Sequence, residues 1–251
     1  MILLSLLCVI ALQYYCPSWS MTLRPWRAYR EWLVSHASSF VEQSKLTRAV
    51  VLVVPLWLVA VIVLSIVQAI FGPIFSLLID IFIAWTVIDV RPFFSKEEVT
   101  IKQLLVDAVF GVFAPVFWFA LLGWPALLLY LILRRCHQID QELAHCDESV
   151  EVVERARHQP VSLLLGLLAW IPERLAMLSC AVVGNFSVIV KFVQHFFSGG
   201  ISLGIKVLAE CFCPGVDTAQ PATAEHRRTL IYILALWLIV MVVFFLGVLL
   251  G

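Results

Sequence analysis

Seven cysteines and six histidines are the first places to look for metal or nucleophilic chemistry. Cys136-His137 and His145-Cys146 form two adjacent pairs. On one helix, His137 and His145 stand about 12 Å apart along the axis, and zinc bonds of about 2.0–2.3 Å do not bridge that gap without a turn. Cys211-Phe212-Cys213 lacks both the two-residue spacing and a second pair. The odd cysteine count and irregular spacing argue against a disulfide framework. Gly199-Gly200-Ile201-Ser202-Leu203-Gly204-Ile205-Lys206 has the outline of a phosphate loop, which needs Lys directly after its second Gly and then Ser or Thr. Here Ile205 intervenes, Val207 follows, and no strand precedes it. No serine or histidine falls into a nucleophile–base set. The chain is therefore read as holding no metal and no cofactor.

Charged residues inside apolar runs are more informative. A carboxylate in such a run is costly and is a functional candidate by default, which singles out Asp80 and Asp107. Glu173-Arg174 follows Trp170-Ile171-Pro172 in the middle of an apolar stretch. Pro172 suits the first position of a helix, and Glu173 would then sit at the positive end of the helix dipole. Arg174 needs an acidic or carbonyl partner, or a route for its head to the interface. Asp80 and Asp107 are the expected partners.

The elements that position these residues follow from composition. The chain has 251 residues, of which 62% are hydrophobic and 14% charged, with a mean hydropathy of +0.99. Average soluble domains are about 45–50% apolar and about 25% charged. These figures exclude a soluble enzyme and a disordered chain. Seventeen basic and seventeen acidic residues give no net charge, so no basic field exists for nucleic acid.

The sequence predicts an all-α, polytopic helical membrane protein with broken or re-entrant helices and amphipathic interface helices, in one domain over 1–251. Residues 1–15 are apolar but short, and insert partway or pack on another helix. Residues 17–48 carry an amphipathic pattern with Trp26, Tyr29, Leu33 and Phe40 on one face and Arg24, Arg27 and Arg30 around it. That pattern fits an interface helix or one covering the protein's own core. Residues 49–71 are uncharged and long enough to cross about 30 Å of hydrocarbon. Gly72-Pro73 is a breaker, and 73–88 completes a helical hairpin. Residues 104–133 would make a straight helix of about 45 Å, longer than the bilayer core needs, so a break is expected at 123–125. Residues 134–229 are polar or amphipathic. Residues 230–250 form a final clean span.

Two stretches resemble a known superfamily. Ala114-Pro115-Val116-Phe117-Trp118, followed by Gly123-Trp124-Pro125-Ala126-Leu127 and Tyr130, is one. Trp170-Ile171-Pro172-Glu173-Arg174-Leu175 is the other. Both resemble segments shared by the cobalamin-biosynthesis membrane proteins CobD/CbiB and by AmpE, an inner-membrane protein associated with β-lactamase regulation. The motifs cover about 104–135 and 165–184. The cobalamin branch carries "YR..NT.D" where this chain has Tyr130-Leu131-Ile132-Leu133-Arg134-Arg135-Cys136-His137, and two adjacent Asp where it has Leu165-Gly166. Tyr130, Leu133 and Arg134 are similar to AmpE instead. The AmpE resemblance implies a multi-pass protein of the bacterial inner membrane. The resemblance further implies a sensor or regulator linked to the muropeptide amidase AmpD, to cell-wall recycling and to antibiotic response. No reaction is established for that family. The resemblance implies a muropeptide-related small molecule and a membrane or cytoplasmic protein as partners, besides the lipid bilayer. The competing readings are an amide-forming CobD/CbiB-like synthase and a membrane scaffold. The candidate residues are Arg174, Glu173, Trp170, Asp80, Asp107, Tyr130 and Arg134.

Basic residues collect on the cytoplasmic side of membrane proteins. If the segment over 104–133 turns at Gly123 and comes back, every Lys and Arg lies on one side, with three full spans. Four simple spans break that rule. A reporter fused after residue 251 should therefore be active in the periplasm, and one fused near residue 150 in the cytoplasm. Periplasmic activity at 150 would establish four simple spans.

Overall fold

The computed structural model describes residues 2–15, 45–94, 98–146, 160–183, 208, 212 and 219–250. Of the amphipathic stretches expected over 17–48 and 186–209, all but residues 45–48 and 208 lie outside those residues, as do the rejected phosphate loop and, but for Phe212, Cys211-Phe212-Cys213. Among the described residues the fold is helical, with no strand. The elements are α1 (Ile2–Tyr15), α2 (Lys45–Val87), the short α3 (Arg91–Phe94), α4 (Ile101–Ala108), a π-helical turn (Val109–Phe113), α5 (Ala114–Leu122), α6 (Trp124–Cys146), α7 (Pro160–Val183) and α8 (Ala224–Leu250). Three segments among the described residues are long and apolar enough to cross a membrane: Val53–Val87, Ile101–Leu122 and Ala224–Phe244.

Two glycines break the apolar helices where the sequence placed the breaks. Gly72 has φ 80° and ψ −174°, and Gly123 has φ 73° and ψ −160°. This region is open almost only to glycine. Each is followed at once, or one residue on, by proline (Pro73 and Pro125), which starts the next helix.

Both breaks fold the chain back on itself. A straight helix from Trp57 to Val87 would be about 45 Å long. Yet Trp57 Nε1 donates to Pro125 O at 2.8 Å, and Arg134 Nη1 donates to Val87 O at 3.2 Å. Pro125 and Arg134 are only about 14 Å apart on α6, so α2 is two limbs of a hairpin. Likewise, a straight helix would put Phe110 and Tyr130 about 30 Å apart, whereas Tyr130 Oη donates to Phe110 O at 2.8 Å. α5 and α6 therefore form a second hairpin about Gly123.

Proline chemistry explains that hydrogen bond. Pro115 has no N–H for the carbonyls one helical turn before it. In the π-helical turn, the Ala114 N–H bonds Val109 O, so Phe110 O and Gly111 O have no donor from residues 114 and 115. Tyr130 fills the first. The Asp89 N–H fills the second, at 2.9 Å. The same device recurs in α7. The helix runs through Pro172, which corrects the expectation of a helix start there. Pro172 leaves Leu168 O without its partner, and Trp118 Nε1 donates to that oxygen at 2.8 Å. An interior proline is tolerated because a neighbouring helix supplies the missing donor.

The first and last helices close the bundle. α1 packs on α2. Its buried Gln13 donates to Ile88 O and accepts from the Val90 N–H at 2.9 Å, so one amide ties off the chain end of α2. α8 is stapled to the start of α4 by one antiparallel bridge between Thr100 and Pro221. Ile101 N donates to Gln220 O at 3.0 Å, and Ala222 N to Val99 O at 2.7 Å. The missing Pro221 N–H faces away from that pair and costs nothing. From this staple the α4–α5 limb and α8 run side by side, and Trp237 meets Phe113 and Phe117 with ring centroids 5.1 and 6.4 Å apart.

Tyr130→Phe keeps the ring and strands Phe110 O, so it should destabilise by about 1–3 kcal/mol. In a Pro115→Ala background the new N–H competes for the same carbonyls, and the cost of Tyr130→Phe should shrink. Thermal melts of the four proteins in detergent check this; equal costs in both backgrounds would refute the proline account.

Candidate functional site

Charged side chains gather where the hairpins meet, at the end of the bundle opposite the two glycine breaks. The level is built by α2 ending at Val87, by the π-helical turn and by the returning α6. Asp89 lies just past α2. Its carboxylate takes Arg91 as a two-pronged pair, Nε to Oδ1 and Nη2 to Oδ2, both 2.8 Å. It also accepts the Arg91 backbone N–H at 3.1 Å, which starts α3. Gly111 brings its backbone close to Arg134: a Cβ there would lie 3.6 Å from Arg134 Nη2 and from Asp89 O. Asp107, on α4, accepts from Gln103 Nε2 at 3.0 Å. Arg227, at the start of α8, donates to Pro92 O at 3.3 Å.

Arg134 is the shared cation of this level. Its charge acts on Asp89, on Asp107 and on Tyr130. Partial burial works against the charge on Asp89. The hydrogen bonds and charge of Arg91, with Arg134 behind them, outweigh it and hold the carboxyl below its ordinary value of 3.8.

The remaining candidates lie deeper. Glu173 and Arg174 are buried, 6% and 3% exposed, on α7, which packs against α6, the π-helical turn and α2. With α7 continuous through Pro172, Glu173 is a mid-helix residue. The dipole argument for it does not hold. The Arg174 guanidinium, expected against Asp80 or Asp107, lies over the Trp170 ring, 5.4 Å from its centroid. A desolvated cation over an indole is worth about 2 kcal/mol. Glu173 Oε1 and Asp80 Oδ1 are buried without a hydrogen-bond partner among the described residues. The structure thus splits the seven candidates. Tyr130, Arg134 and Asp107 share the charged level. Trp170, Glu173 and Arg174 form a buried group on α7. Asp80 stands alone on the second limb of α2.

Sequence reasoning missed two residues. Asp89 stands just past the second apolar run, and the spacing Asp89-Val90-Arg91 is the signal of a local acid–base pair. Gln13 is the lone amide in the apolar α1. Among the described residues no group of three His, Cys, Asp or Glu could hold a metal ion.

No family model, no curated protein and no solved structure matches this chain.

Folding lowers the Asp89 carboxyl's affinity for its proton, so its contribution is present above about pH 3.8 and is lost as pH falls through the lower folded value. The pair is 44% and 31% exposed, so solvent screening leaves less than about 1 kcal/mol. Asp89→Asn should lower the melting temperature slightly at neutral pH. The gap to the parent protein should close as the pH drops through about 3.8. Melts across that range read this directly. A gap of constant size would contradict it.

Proposed function

We propose that the chain is a polytopic helical protein of the bacterial inner membrane, of the AmpE type, acting as a sensor or regulator linked to cell-wall recycling and β-lactamase induction. The three long apolar segments support the membrane setting. The observation that carries the AmpE-type reading is what the resembling residues do. Pro115, Tyr130, Trp118 and Pro172 come from the two stretches that resemble the superfamily. They are the residues that vacate carbonyls and refill them across helices. A sequence that keeps this set keeps the helix-to-helix bonding, which supports a shared architecture.

The branch follows from what surrounds that architecture. The synthase branch carries polar side chains at positions that are Leu131 and Leu165 here, and both are buried in the apolar core. The polar chemistry lies instead on the charged level of Asp89, Arg91, Asp107 and Arg134. In this reading that level meets a muropeptide-related ligand or a protein partner from the cytoplasm. No reaction and no cofactor is assigned.

The test is a deletion strain scored both for β-lactamase induction and for cobalamin-dependent growth. The expected result is altered induction with normal cobalamin growth, restored by the parent gene. Arg174→Ala should fail to restore it. Arg174→Lys should restore it in part, because the planar guanidinium that stacks on Trp170 is lost. A cobalamin defect alone would overturn the reading in favour of the synthase.

A further inference from the structure

The depth of the two hairpins, measured from the charged level, falls short of a bilayer. Arg91 is an exposed charge and Asp89 a half-buried one. Arg134 reaches Val87 O just beside them, and Arg227 reaches Pro92 O. These four residues mark one plane. From Asp89 back to Gly72, the second limb of α2 extends at most about 25 Å. The longer first limb cannot carry the turn further than this return limb allows. From Arg134 back to Gly123, α6 extends at most about 17 Å. On the outgoing limb of that hairpin, Asp107 already belongs to the charged level, and about 22 Å remain to Leu122. The hydrocarbon core of a bilayer is about 30 Å thick. Any tilt shortens these reaches.

The tips are apolar and bare. Ile70, Phe71 and Ile74 around Gly72 are 70%, 63% and 76% exposed, and Leu121 and Leu122 before Gly123 are 59% and 62% exposed. No polar side chain stands in Ile70-Phe71-Gly72-Pro73-Ile74 or Leu121-Leu122-Gly123-Trp124-Pro125 except the Trp124 indole. A turn that emerges into water on the far side would expose these side chains there, at about 25 cal/mol per Å² of apolar surface. α8 differs. From Arg227 to Leu250 it extends about 34 Å, enough to cross. Leu246, about 28 Å from Arg227 and so past the depth of both tips, is 52% exposed.

We propose that both glycine-broken hairpins are re-entrant: they enter from the charged side, end in the hydrocarbon against lipid acyl chains, and return, while α8 crosses the bilayer. The first hairpin, expected from sequence as two full spans, becomes a membrane dip like the second. The polar surface built by the hairpins then faces one compartment. This inference rests on the membrane setting proposed above and is independent of the AmpE-type role.

Two measurements on the full chain in lipid vesicles test it. Ile74→Cys, Leu122→Cys and, as a marker of the charged side, Glu98→Cys are exposed to a membrane-impermeant maleimide from each side in turn. Modified peptides are read by mass spectrometry, so the native cysteines can stay. The expected result is Glu98→Cys labelled from one side only, and the two tip cysteines labelled from neither side until detergent is added. Second, the unaltered chain is photo-crosslinked with phospholipids carrying a diazirine at the acyl terminus or near the glycerol. Peptides containing residues 70–74 and 121–124 should be captured several-fold better by the terminal probe. Tip labelling from the side opposite Glu98→Cys, or a reversed crosslinking ratio, would establish full spans and overturn the proposal. Release of the whole chain by alkaline carbonate would instead sink the membrane setting itself.

Discussion

A proline inside a helix removes one donor and leaves a carbonyl that something else must satisfy. This protein's helices are joined largely through that debt. Pro115 vacates carbonyls in the π-helical turn, and the Asp89 amide and Tyr130 hydroxyl take them. Pro172 vacates Leu168 O, and the Trp118 indole takes it. In an apolar environment these bonds have directional force that apolar packing lacks, because each vacated oxygen accepts from one place only. The two hairpins and α7 are fixed against one another at those points. The charged level exists because Asp89 is pinned to Gly111 and Tyr130 holds α6 so that Arg134 arrives beside it.

The buried acids follow a different logic. Asp107 has Gln103 and faces Arg134, so it belongs to the water-facing end. Asp80 and Glu173 each have one carboxyl oxygen buried with no hydrogen-bond partner among the described residues. A buried polar atom left in this state costs on the order of 1–3 kcal/mol, a cost that packing alone gives no reason to keep. Such residues in apolar helices are where function is expected first. Glu173 adds weight because it adjoins Arg174, held over Trp170.

Much of this was legible in the residues. Both glycine breaks could be placed because Gly72-Pro73 and Gly123-Trp124-Pro125 combine a residue free to take positive φ with one that ends helices. The return of the chain at Gly123 could be argued from where the basic residues fall, Arg134-Arg135 and Arg227-Arg228 among them. The continuity of α7 could not be read. Whether Pro172 starts a helix or sits within one depends on a donor from Trp118, some fifty residues away in sequence. The contact of Arg174 with Trp170 was missed for a similar reason. Carboxylates were the obvious acceptors, and the indole four residues earlier, one turn below on the same helix, was passed over. Gln13 escaped notice because it works through backbone groups, which carry no signature in sequence.

The staple between Thr100 and Pro221 has a consequence for the order of assembly. The hairpins about Gly72 and Gly123 close between residues near in sequence, so each can form as soon as its own limbs exist. The staple joins positions more than a hundred residues apart. Closing so long a loop costs entropy with little direct return, since only two backbone bonds are made. It becomes favourable once the hairpins have already set the start of α4 in place. During synthesis the Pro221 segment also emerges after both hairpins. α8 is therefore the clasp of the molecule, fastened last onto a body already formed, and the end that carries Asp89 and Arg134 stays open until it closes.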